Sequence, residues 1–143
     1  MNISVASISA LIVEDSAIFA ERLSEMLMGL EGIERAGVFD TEAGAIGALR
    51  DREVDVVLLD LKLREGRGFG VLREIARYPQ RPVVVVLTNY CLDEFRHNAQ
   101  KLGAQHFLDK VHDMELLPKI LSDIRQQNLR KFAESPASEG RYH

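Results

Sequence analysis

Five short runs of apolar, largely β-branched residues alternate with longer stretches of helical periodicity, and this alternation restricts the fold more than any other feature of the chain. The runs are "ISALIV" (8–13), "IERAGVF" (33–39), "VDVVLL" (54–59), "PVVVVLT" (82–88) and "AQHFL" (104–108). Three of them are almost continuously apolar, as parallel strands covered on both faces must be. Between them apolar residues recur at helical spacing: Phe19, Leu23, Met26, Leu27 and Leu30; Leu92, Phe95, Ala99 and Leu102; Leu117, Ile120, Leu121 and Ile124. Such stripes are read as core-facing surfaces. Ala43, Ile46 and Leu49 mark a weaker helix, and Leu72, Ile75 and Ala76 a short one stopped before Pro79. The pattern is (βα) five times over, an α/β fold with a doubly wound, five-stranded parallel sheet.

A chain of 143 residues suits one domain with its own core. The last helix is expected to reach about Phe132, giving a domain of residues 1–132 and a polar, flexible tail over 133–143. A net charge of -4 argues against direct nucleic-acid binding through a basic field. The single cysteine, Cys91, excludes an internal disulfide, and the four histidines show no metal-ligand spacing. The amino-terminal segment lacks a cationic leader, and no apolar run approaches the ~18 residues of a membrane span. The expectation is a cytoplasmic protein without membrane insertion.

In open α/β sheets, ligands bind beyond the carboxyl ends of the strands. Those ends carry Glu14-Asp15 after the first strand, Asp60 after the third, Thr88-Asn89 after the fourth and Asp109-Lys110 after the fifth. Asp40-Thr41 ends the second, an outer strand that need not line the site. Taken singly these are ordinary cap, turn or surface residues. Jointly they bring three carboxylates, a hydroxyl and an ammonium to one edge. Three acids repel and retain protons unless a cation joins them, and an all-oxygen ligand set suits Mg²⁺. Asp60 would then stay ionised and nucleophilic, with Lys110 and Thr88 available to phosphoryl oxygens.

On these residues the chain resembles the receiver domain of bacterial two-component response regulators, over about residues 8–126. The motifs are "LIVEDS" with Glu14 and Asp15, "VVLLDLKL" with Asp60, "VVVVLTNY" with Thr88 and "GAQHFLDK" with Lys110. Their intervals of 45, 28 and 22 residues suit that family, and Gly68 falls on its loop glycine. The resemblance implies a flavodoxin-like, CheY-like sheet of strand order 2-1-3-4-5. It also implies that Asp60 takes phosphate from a phosphohistidine of a sensor histidine kinase or histidine phosphotransfer protein. Mg²⁺ would be held by Glu14, Asp15, Asp60 and the backbone carbonyl of Lys62. Thr88 and Phe107 would form the switch, the hydroxyl moving to the phosphoryl group and the ring turning inward. A plain core aromatic is the alternative for Phe107. The chain would catalyse only its own phosphorylation and dephosphorylation and would act on no separate substrate.

Several positions depart from the commonest family pattern. Glu14 replaces Asp, Val111 follows Lys110 where proline is common, and Asn89 is bulkier than the usual small residue. Arg64 stands where proline is usual, which predicts a less rigid loop. Lys62 and Tyr90 should flank the mouth of the site, and with Asn89 they are the candidates for tuning the phosphoryl lifetime; solvated side chains are the alternative. The signalling face would run from helix four to helix five, with Arg96, Gln100, His106 and Lys119 on it and an unknown downstream protein as target. The chain reads as a stand-alone receiver. The alternatives are an N-terminal receiver fragment of a longer regulator, or a receiver-shaped interaction module not controlled by phosphorylation. A flavin site is disfavoured because "VEDSAIF" would repel a phosphate. A dinucleotide site is disfavoured because "GRGFG" (66–70) follows the third strand and lacks the required glycine spacing.

Overall fold

The computed structural model describes residues 7–134. Five parallel strands, β1 (Ile8–Val13), β2 (Ile33–Phe39), β3 (Val56–Leu59), β4 (Val83–Thr88) and β5 (His106–Asp109), form one sheet in the order β2-β1-β3-β4-β5. Each is followed by a helix: α1 (Ala17–Met28), α2 (Glu42–Asp51), α3 (Gly68–Ile75), α4 (Asp93–Lys101) and α5 (Leu117–Glu134), the last entered through a single 3-10 turn.

The continuous apolar runs resolve into two faces. Leu11, Val13, Val57, Leu59, Val84 and Val86 pack with Ala45, Leu72, Ile75 and Ala99 of α2, α3 and α4. Ala10, Ile12, Val56, Leu58, Val85 and Leu87 pack with Leu23, Leu27, Leu117 and Leu121 of α1 and α5. Alternate residues of each strand thus serve opposite cores, which is why neither face can tolerate polar substitution in the central strands. Burial of a leucine stabilises by about 1.5–3 kcal/mol, so Leu117 and Leu121, both fully buried, anchor α5 to the sheet.

The helix starts are chemically specified. Ser16 accepts a hydrogen bond from the Phe19 amide at the start of α1, and Thr41 one from the Gly44 amide at the start of α2. Two helical faces differ from the sequence pattern. In α2 the buried residues are Ala45, Ala48 and Leu49, because alanines let that helix lie close to the sheet while Ala43 stays exposed. Leu92 precedes α4 and is 57% exposed, leaving Ala99 as the buried residue of that helix. β3 starts two residues later than its apolar run; Asp55, just before it, accepts the Ser9 amide on its carboxylate at 2.8 Å. α5 runs two residues past Phe132, so the expected tail from 133 begins inside the helix, and its remainder lies outside the described residues.

β2 carries an irregularity. Its register against β1 slips between Arg35 and Gly37, leaving Ala36 as an extra residue, and Gly37 adopts a φ of 149°. The Ala36 carbonyl accepts a hydrogen bond from the Arg52 guanidinium.

Candidate functional site

β1 and β3 lie side by side and β5 is one strand removed from β3, and all run parallel, so residues just past their carboxyl ends share one edge. Carboxylate oxygens of Glu14, Asp15 and Asp60 come within 4.8 Å of one another there. Glu14 and Asp60 are buried, at 3% and 6% exposure, while Asp15 faces solvent. The Lys110 ammonium joins the two buried acids, 2.6 Å from Glu14 Oε1 and 2.8 Å from Asp60 Oδ2. The sequence-derived set Glu14, Asp15, Asp60 and Lys110 is therefore brought together.

Local geometry holds each member. Glu14 Oε2 accepts the Ser16 amide at 2.9 Å, so the residue that starts α1 also orients the first acid. Asp60 Oδ1 accepts the Lys62 amide at 3.2 Å. The Asp60 amide donates to the Val13 carbonyl, and the Lys110 amide to the Thr88 carbonyl. The Lys110 ammonium also lies 4.4 Å from the centre of the Phe19 ring. Periodicity places Phe19 in the core, and its role over the lysine is one that sequence reasoning misses. No local signal marks it, because Phe19 already fits the core stripe of α1.

Burial pushes the Glu14 carboxyl up to about 7, against the lowering influence of Lys110 and the Ser16 amide, and the nearby Asp60 charge adds to the rise. Burial by itself would lower the Lys110 pKa, but hydrogen bonds to Asp60 and Glu14 outweigh it and hold the ammonium above its ordinary value. With all three acids ionised, one ammonium leaves two negative charges uncompensated. An all-oxygen donor set with that excess and an exposed third acid fits a hard divalent ion of Mg²⁺ type.

The other predicted residues occupy distinct places. Thr88 is fully buried at the end of β4, and its hydroxyl oxygen accepts the Tyr90 amide at 3.0 Å. Phe107 is 6% exposed within the core beneath α4, and the Arg96 guanidinium covers its ring at 4.8 Å. Arg96, a candidate for the signalling face, is thus engaged with Phe107, while Gln100 and Lys119 are exposed and His106 is half-buried. Lys62 and Tyr90 meet, ammonium to ring centre 5.8 Å, and Asn89 is exposed beside them. Arg64 pairs with Asp40 at 2.8 Å and donates its amide to the Asp40 carbonyl. Where the missing proline predicted a looser loop, the chain substitutes a tether to the β2–α2 connection.

This sheet order with an acid cluster and lysine at its carboxyl edge defines the class of protein. Residues 10–122 match the family model for the response regulator receiver domain, and the chain belongs to that family. Among particular relatives, it is 36% identical over 129 residues to protein-glutamate methylesterase/protein-glutamine glutaminase 6 of Anaeromyxobacter dehalogenans, covering 89% of this chain and 35% of that protein. It is 22% identical to the sensory transduction protein LytT of Enterococcus faecalis, over 91% of this chain and 53% of that protein. The chain thus spans about half or less of the length of these curated relatives. Among solved structures, the receiver domain of a putative Luxo repressor protein from Vibrio parahaemolyticus superposes with a TM-score of 0.80 at 24% identity, covering 90% of this chain and 98% of that one. The receiver domain of sensor histidine kinase PA1611 from Pseudomonas aeruginosa, with a magnesium ion coordinated in its active-site cleft, gives 0.73 at 24% identity, covering 85% and 99%. No helix among the described residues is long and apolar enough to cross a membrane.

Proposed function

We propose that the chain is a phosphoacceptor, taking a phosphoryl group from a phosphohistidine of a sensor kinase or phosphotransfer protein onto Asp60. The observation that carries this reading is the buried Lys110 ammonium held between Asp60 and Glu14 with Asp15 beside them. A structural role alone gives no reason to bury two acids and a lysine at a strand edge, since an apolar cluster of similar volume is as stable or more so.

An Asp60 carboxylate oxygen attacks phosphorus, the phosphorus–nitrogen bond breaks, and the imidazole leaves with that electron pair, to be protonated by solvent. Lys110 holds the Asp60 carboxylate in place beforehand and then follows the phosphoryl oxygens, to which its ammonium donates. The Thr88 hydroxyl, one strand away, exchanges its Tyr90 amide contact for a phosphoryl oxygen, and Phe107 is the ring whose packing responds. Mg²⁺, held by Glu14, Asp15, Asp60 and the Lys62 carbonyl, would supply charge neutralisation for the incoming phosphoryl group. A receiver domain of the same fold holds a magnesium ion in its own active-site cleft, which supports a cation at this edge. Lys62, Tyr90 and Asn89 stand at the mouth, where attacking water must pass, and govern how long the acyl phosphate lasts. The output is a change in a protein-binding surface, in a cytoplasmic setting.

Incubation with acetyl phosphate and Mg²⁺ should label the protein by one phosphoryl group, as read by intact mass. Asp60→Asn, or removal of Mg²⁺ by chelation, should abolish it. Wild-type protein that stays unlabelled under these conditions would identify a receiver-shaped interaction module instead.

A further inference from the structure

We propose that Glu42, in the first turn of α2, is a positioning residue for the metal-binding loop between β3 and α3. Its carboxylate caps the start of α3 from another element and, through Arg67, fixes Lys62 against Asp60. The proposal rests on the reading of Lys62 and the three acids as the Mg²⁺ site.

α3 begins without a cap of its own. The residue before it is Arg67, which makes no side-chain cap hydrogen bond, and the segment "REGRGFG" (64–70) offers no Ser, Thr, Asp or Asn for the purpose. Glu42 Oε1 accepts the Arg67 amide at 2.9 Å, the bond that the third-position acid of a capping box makes to its own cap residue. A carboxylate there also faces the positive end of α3. The seat is shaped for it. A Cβ added at Gly70 would fall 2.2 Å from the Glu42 carboxyl carbon, and one at Gly66 would fall 2.4 Å from the Glu42 Cβ. Backbone bonds bring the two connections into register, Glu42 amide to Glu65 carbonyl at 3.0 Å and Arg64 amide to Asp40 carbonyl at 3.0 Å.

The contact leads directly to the phosphoacceptor. Arg67 forms an antiparallel bridge with Lys62, and the Lys62 amide donates to Asp60 Oδ1. Gly68 lies so close that its Cβ would meet the Asp60 carbonyl oxygen at 2.3 Å. The loop is therefore a small closed unit with Asp60 at one end and Glu42 clamping the other. Glu42 touches none of the reacting atoms. Its removal should loosen the Lys62 carbonyl and so weaken Mg²⁺ binding, while leaving the chemistry of the loaded site intact.

Calorimetric titration with Mg²⁺ and amide hydrogen exchange, on the full chain, test this. Groups behind a metal ligand commonly matter about 10–100-fold to affinity, and Glu42 acts one contact further out, so Glu42→Ala should weaken Mg²⁺ binding about 3–10-fold. Labelling by acetyl phosphate at saturating Mg²⁺ should stay within about twofold. The Arg67 amide should exchange faster in Glu42→Ala, whereas Glu42→Gln, which keeps an acceptor, should stay near wild type. Gly70→Ala, which fills the seat, should reproduce Glu42→Ala, and the double variant should lose nothing more. Unchanged Mg²⁺ affinity in Glu42→Ala, or losses that multiply in the double variant, would overturn the proposal. Failure of the underlying site reading would look different: wild type and Asp15→Asn would both fail to bind Mg²⁺. Arg67 exchange would then still decide whether Glu42 holds the loop.

Discussion

At the scale of single residues, two contacts around Lys110 and Lys62 turn lysines into placed cations. Lys62 and Tyr90 come from different connections, the first after β3 and the second after β4, and their contact links the two. An exposed cation–π contact contributes about 0.5–1 kcal/mol, which corresponds to about 2–5-fold in a rate. Lys62→Ala and Tyr90→Ala should each speed loss of the phosphoryl group by that factor, and the double variant should be no faster than either single. Decay of the labelled species after removal of the donor measures this, and unchanged decay in both singles would dismiss the pair as a gate. Phe19 has the corresponding place over Lys110, in a drier setting. Phe19→Leu keeps apolar volume but removes the ring face, so labelling at saturating Mg²⁺ should slow about 2–5-fold with thermal stability nearly unchanged. A Leu variant as fast as wild type would reduce Phe19 to packing.

Between elements, the most specific polar link joins α2 and α3. Glu74 of α3 is buried and receives the Arg50 guanidinium through two bonds of 3.0 and 3.2 Å and the Tyr78 hydroxyl at 2.7 Å. The Arg50 bonds, and then the Tyr78 hydroxyl, hold the Glu74 carboxyl below its ordinary 4.5. A carboxyl depressed on folding contributes stability above its unfolded value, and that contribution is lost as pH falls through the folded one. Urea unfolding of Glu74→Gln should therefore show a shallower loss of stability than wild type as pH drops below 4.5. Parallel pH profiles for the two proteins would show that the link carries no such dependence. The strands and helices themselves were legible in the sequence because each is written locally, as an apolar run or a periodic stripe. Four chemical groups of the site were legible for the same reason, each ending or following a strand. Phe19 over Lys110, Arg64 on Asp40 and Glu42 beneath Gly70 were not. Each joins residues from different elements, at positions whose local pattern already had a sufficient explanation.

For the whole molecule, cation binding and folding are linked. An ion that binds only the folded state at a hundredfold excess over its Kd stabilises by about 2.7 kcal/mol. For a domain of this size that is a rise of roughly 5–10 °C in Tm. Thermal unfolding with and without Mg²⁺ should show this shift for wild type and little of it for Asp15→Asn; equal shifts in both would place the ion elsewhere. The sheet has a further consequence at its margins. An open sheet offers two lateral rows of unpaired peptide groups, an invitation to add strands from other chains. Here one margin is the bulged β2, where Glu34 and Arg35 are exposed and Arg52 occupies the Ala36 carbonyl; the other, β5, is only four residues long. Among the described residues neither margin presents a flat template, and at the β2 margin the irregularity that slips the register also works against growth into fibrils.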